Sequence, residues 1–165
     1  MKKFDLIIKG GKVVTPTGVS IADIGIKDEK IACIADSLDD ATEIYDAKGK
    51  LVIPGGIDVH THIDAPINGS HTLDDWYQGT VSAAWGGVTS VVDYPMQEKG
   101  LTLRGIVEKW SQKAAGTAVI DYSFSPVITD RSEETYRVIP ELIEEGFPTF
   151  KVYMAYWHRV RDEET

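Results

Sequence analysis

From Ile57 onward the chain alternates between short apolar runs and longer amphipathic stretches, and this alternation limits the possible folds more than any other feature. A strand at 57–60 precedes a polar loop and a helix predicted over 73–85, with Asp74 and Asp75 in its first turn. Carboxylates favour that position because the amino end of a helix carries partial positive charge. Gly86-Gly87 stops the helix, and a strand follows at 90–93. A helix over 103–115 ends before Gly116, a strand fills 119–127, and a helix over 132–145 ends before Gly146. A fourth strand is read at 149–156. Strand and helix in strict turn specify an α/β fold with a parallel sheet, because parallel neighbours need a crossover between them. Four strands with three helices match the first half of a (β/α)8 TIM barrel, which closes only at about 250 residues. The open alternative, a doubly wound sheet, has no use for the β-rich segment that comes first.

Residues 1–55 follow a different pattern. Phe4, Leu6 and Ile8 alternate with their neighbours, which is strand periodicity. Gly10-Gly11 is expected to break that run, and Lys12 to restart it. Further short strands are read around Ile24 and Ile26, at 31–34, at 43–46 and at 51–53, before the turn signal Pro54-Gly55-Gly56. Six short strands without a helix predict a small β-sandwich segment or barrel-like layer over 1–55, followed by the half-barrel over 56–165. The formal charge of −9 argues against nucleic acid, which requires a basic face. No apolar run is long enough to span a bilayer, and residues 1–11 lack the apolar core of a secretory signal. The single cysteine, Cys33, leaves no intramolecular disulfide and fits a reducing, cytoplasmic setting.

The sharpest chemical feature is His60-Thr61-His62 at the end of the first barrel strand. Residues two apart on a strand point the same way, so the imidazoles share a face and make half of a metal site. An ordinary polar pair at a strand end explains the spacing equally well, but active sites of βα barrels lie at this face. Asp58 has the same parity and is a candidate ligand or acceptor for an imidazole N–H. Lys151 interrupts an apolar strand, Phe150-Lys151-Val152-Tyr153-Met154. Burying an ammonium is costly unless it is paired or neutralised. A neutral amine can add carbon dioxide and become a carbamate; on the strand alone, a lysine reaching out to solvent is the simpler reading. His71, His158 and Asp93 are weaker candidates, read as loop histidines and as a carboxylate engaged in capping or loop bonding. Trp76, Trp85 and Trp110 read as core or interface residues.

Taken together these residues resemble the amidohydrolase superfamily. The stretch from Val52 to His62 is similar to its first-strand signature, and Phe150 to Tyr156 to the fourth-strand segment of the hydantoinase and dihydropyrimidinase branch. Thr72 to Thr80 and Gly86 to Ser90 resemble that branch at the first helix and its exit. The resemblance implies two divalent metal ions, usually zinc, with His60 and His62 on one and a carboxylated Lys151 bridging both. It implies hydrolytic opening of a small cyclic amide or ureide, of hydantoin or dihydropyrimidine type. Tyr156 would be catalytic and substrate-binding, polarising the carbonyl, and the protein would be a homo-oligomer, a tetramer. An allantoinase or dihydroorotase, and a non-catalytic dihydropyrimidinase-like interaction protein, are the alternatives. The family's later histidines and aspartate have no counterpart in this sequence, so the 165-residue chain is expected to be inactive alone.

Overall fold

The structure is a computed structural model that describes residues 2–67, 69–98 and 100–155. It divides into two compact units, Met1–Pro54 and Gly55–Thr165. The first contains β1 (Phe4–Thr15), β2 (Gly18–Lys27), β3 (Lys30–Ala35), β4 (Ala41–Asp46) and β5 (Leu51–Val52). They form one mixed sheet ordered β3-β2-β1-β4, with β5 also on β1. The first two pairings are antiparallel, and β4 and β5 run parallel to β1. One difference from the sequence reading follows. The expected break at Gly10-Gly11 is an irregularity inside a single long strand, so there are five strands and not six. The described strands of this unit make one sheet.

The irregularity has a clear physical basis. Gly10 sits at φ 71°, a left-handed conformation that side chains other than glycine resist. A shift of register there takes the Gly10 N–H out of the ladder. The buried Asp23 carboxylate accepts that N–H at 2.7 Å and the Leu38 N–H at 2.9 Å. Apolar residues pack on both faces of the sheet: Ile7 joins Phe4 and Leu38, while its neighbour Ile8 packs against Val13, Ala22 and Ile24. A Cβ at Gly25 would come within 2.6 Å of the Phe4 ring, so that ring needs a glycine beneath it.

The second unit begins with β6 (Gly56–Thr61), a small antiparallel hairpin of β7 (Pro66–Ile67) and β8 (Ser70–His71), and α1 (Trp76–Trp85). It continues with β9 (Val88–Asp93), α2 (Leu103–Ala114), β10 (Asp121–Phe124), β11 (Val127–Ile128), α3 (Glu133–Glu144) and β12 (Lys151–Val152). The pairs β6–β9, β9–β10 and β11–β12 are all parallel, and a parallel bridge from Met96 to Val127 carries the pairing on past β9. The strands therefore sit side by side in chain order, with a helix between successive ones. The strand read at 119–127 is split because Pro126 has no N–H to donate. Its carbonyl still accepts from Lys151 N at 3.0 Å, and Val127 N donates to Pro95 O, so the sheet continues across the gap.

The helices start at side-chain caps, but α1 begins at Trp76 and not at 73: Asp75 is its cap, Asp74 precedes it, and its first turn carries no acidic residue. Asp75, Thr102 and Ser132 each accept an N–H of the first turn through the side chain. In α2, Leu103, Ile106, Val107, Trp110 and Ala114 are buried, an i, i+3, i+4, i+7, i+11 stripe. They pack with Val91 and Phe124 from the sheet, Val138 and Leu142 from α3, and Trp76 from α1. Trp76 and Trp110 are thus core residues, but Trp85 is exposed. No helix among the described residues is long and apolar enough to cross a membrane.

Candidate metal centre

The carboxyl ends of β6 and β9 and the start of β12 meet at one place. His60 is the penultimate residue of β6 and His62 lies just beyond it. Their ring centres are 5.3 Å apart, edge to face. Strand parity alone does not produce this arrangement. The register of β6 against β9 shifts between Asp58 and Thr61, so an extra residue is accommodated beside His60. Bulges of this kind re-aim side chains at strand ends. Lys151 reaches the same place from β12, with Nζ 3.2 Å from His60 Nε2. Two imidazoles and one amine therefore converge, a donor set suited to a borderline metal ion once the amine is neutral or carboxylated. Among the described residues, no third His, Cys, Asp or Glu completes a metal cluster with the two histidines.

The electrostatics favour neutral imidazole at His62. Partial burial, then the positive charge of Lys151 and the neighbouring His60, hold its pKa below the ordinary histidine value. Only the neutral ring can ligate a metal. Tyr94, directly after β9, supplies an aromatic wall. Its ring centre is 4.5 Å from that of His60 and 5.9 Å from that of His62, and Lys151 Nζ lies 4.6 Å from it. A second ring, Tyr153, is 5.5 Å from the same amine. Sequence reasoning did not single out Tyr94 as a site residue. The available signal was its place right after the second strand, the counterpart of His62 after the first.

The other candidates fall elsewhere. Asp58 accepts from the backbone N–H of His60 at 3.0 Å and not from an imidazole. His71 is exposed in the β7–β8 hairpin, its Nδ1 3.5 Å from an Asp64 carboxylate oxygen. Asp93 is fully buried at the end of β9 and is engaged in loop bonding, as its sequence position suggested. Burial pushes its carboxyl up from the ordinary value, against the pull of donations from Ile63 N, Thr61, Trp110 and Tyr94 N. Tyr156 and His158 lie outside the described residues.

Residues 43–123 match the model of the amidohydrolase family. The chain is 45% identical over 152 residues to a D-hydantoinase of Geobacillus stearothermophilus, covering 91% of this chain and 32% of that protein. It is 35% identical over 160 residues to a dihydropyrimidinase of Rattus norvegicus, covering 92% and 30%. Among solved structures, a D-hydantoinase superimposes with a TM-score of 0.86 at 44% identity, over 91% of this chain and 33% of that one. The dihydropyrimidinase of Brevibacillus agri superimposes with a TM-score of 0.87 at 39% identity, over 100% and 36%. The chain thus spans about a third of the length of the curated relatives it matches. Because this similarity runs through nearly the whole chain in both sequence and fold, the chain belongs to the amidohydrolase superfamily, on its hydantoinase and dihydropyrimidinase branch.

Proposed function

We propose that the protein is a metal-dependent cyclic amidohydrolase that opens a hydantoin or dihydropyrimidine ring. The observation that carries this reading is the convergence of His60, His62 and Lys151, with Lys151 Nζ 3.2 Å from His60 Nε2. When bound, a pair of divalent metal ions, zinc by resemblance, lowers the pKa of water and so supplies hydroxide near neutral pH to attack a ring carbonyl. His60 and His62 would hold one metal through neutral ring nitrogens. Lys151, carboxylated on Nζ, would supply an anionic ligand to the metal pair. Its negative charge is costly in a half-buried site without cations, so carboxylation and metal binding should be coupled. Tyr94 would wall the site and exclude water from one side of the Lys151 amine. Tyr156, by its place in the motif, would donate to the carbonyl oxygen as charge develops there.

The barrel reading rests on topology. Parallel strands adjacent in chain order, each followed by a helix, suit a closed (β/α)8 barrel better than a doubly wound sheet, whose strand order reverses. Residues 56–165 would then be its first four strands, and residues 1–55 part of a β-sandwich domain. By resemblance the protein would work in the cytoplasm as a homotetramer, which sedimentation of the purified protein would test.

Hydrolysis of hydantoin, dihydrouracil, allantoin and dihydroorotate by a metal-loaded full-length protein carrying this chain tests the activity and separates this reading from the allantoinase and dihydroorotase alternatives; the 165-residue chain alone is expected to turn over none of them. In the full-length protein Lys151→Ala should abolish turnover, and Lys151→Arg should not restore it, because a guanidinium cannot form the carbamate. Full turnover by Lys151→Ala without an added short carboxylic acid would remove the lysine from the mechanism. A full-length protein that binds metal but turns over none of the four substrates would favour the non-catalytic interaction protein.

A further inference from the structure

We infer that Asp93 is the positioning residue of the metal centre: its buried carboxylate clamps the strand exit that carries the two histidines. The inference rests on the metal-site reading above and adds a residue to it. Asp93 Oδ2 accepts from Thr61 Oγ1 at 2.9 Å and from the Ile63 backbone N–H at 2.7 Å. Those residues flank His62 on either side, so one oxygen holds the side chain before that ligand and the backbone after it. The other oxygen, Oδ1, accepts from the indole N–H of Trp110 at 3.1 Å. Trp110 is fully buried on α2. The carboxylate therefore ties the exit of β6 to the end of β9 and to the best-packed helix of the unit.

The need for such a clamp follows from the local geometry. The register of β6 against β9 slips between Asp58 and Thr61, so the ladder does not fix the backbone at His60. Beyond Thr61 the strand ends, and His62 has no ladder to hold it. Metal ligation requires ring nitrogens placed to within a few tenths of an ångström. A carboxylate is suited to this task because both its oxygens accept and neither donates. An amide in its place would present an N–H to one of these donors. Asp93 touches neither imidazole and is occupied by its donors, so it acts on the ligands through Thr61 and Ile63.

Cobalt(II) binding by the metal-stripped protein, followed by its visible ligand-field bands and alongside thermal unfolding, tests this without turnover. Wild-type protein should bind cobalt, and His62→Ala should lose it. Asp93→Asn should weaken binding by about tenfold or more and change the band pattern, the scale seen when groups supporting a ligand are removed. Thr61→Val, nearly isosteric, removes the Thr61 hydroxyl donor to Oδ2 and should weaken binding in the same direction; it decides the matter if Asp93→Asn does not fold. Trp110→Phe removes the indole donor to Oδ1 and should lower the unfolding temperature while leaving cobalt affinity within about twofold. Cobalt affinity that tracks stability across all three variants would overturn the clamp and leave an ordinary core carboxylate. Unchanged affinity and bands in folded Asp93→Asn and Thr61→Val, with binding still lost in His62→Ala, would overturn the clamp alone. A wild-type spectrum indifferent to His62→Ala would overturn both the clamp and the metal reading beneath it.

Discussion

Single polar side chains placed in apolar surroundings carry much of the specificity of this chain. Asp23 is the clearest case outside the site. Burial alone would raise its pKa, but N–H donation from Leu38 and Gly10, and the nearby Lys9 ammonium, outweigh that and hold it below the ordinary carboxylate value. A carboxyl with a depressed folded pKa contributes stability that is complete above its unfolded pKa. That stability is lost as pH falls through the folded value, because the unfolded chain then takes up the proton first. Acid unfolding of the wild type should therefore be steeper below about pH 4 than that of Asp23→Asn. Asp23→Ala leaves two N–H groups without their acceptor and should cost about 2 kcal/mol at neutral pH by denaturant titration. Thr80 works similarly in the second unit. It is fully buried on α1, donates to the Trp76 carbonyl and accepts from Val119 N at 3.1 Å. Thr80→Val should cost about 1–2 kcal/mol with no loss of apolar packing.

Among the elements, α3 is built against its own interest at one position. Pro140 lies inside the helix on an exposed turn, where it removes a backbone hydrogen bond and crowds the preceding turn. Pro140→Ala should raise stability by about 1–3 kcal/mol, read as a higher denaturant midpoint at an unchanged slope. That helix was legible in the sequence despite its proline. Ser132 as cap, Glu133 and Glu134 in the first turn, and the spacing of Thr135, Val138 and Leu142 together outweighed one unfavourable residue. The parallel strands were legible for a similar reason: the apolar run around Val91 and Val92 is bounded by glycines on one side and a proline on the other. What the sequence hid was register. Nothing local to Gly10-Gly11 says whether the chain turns or slips by a residue, because the answer lies in Asp23, which waits on the neighbouring strand to take the freed N–H. The same holds at β6, where the slip that sets His60 depends on pairing with β9. His60, His62 and Lys151 were readable as candidates by residue type and strand position. Tyr94 was not, because an aromatic residue after a strand resembles any core residue until three other side chains surround it.

For the molecule as a whole, ligands brought from separate strands to one end of a parallel sheet mean that metal affinity and fold depend on each other. The central claim is that His60, His62 and Lys151 form one metal centre. Anomalous scattering at the zinc absorption edge, from crystals of the zinc-loaded protein, addresses it most directly. The account predicts an anomalous peak about 2.0–2.1 Å from a ring nitrogen of each histidine, with density for a carboxylate extending from Lys151 Nζ towards it. Zinc bound elsewhere, with the two imidazoles free and Lys151 unmodified, would contradict it.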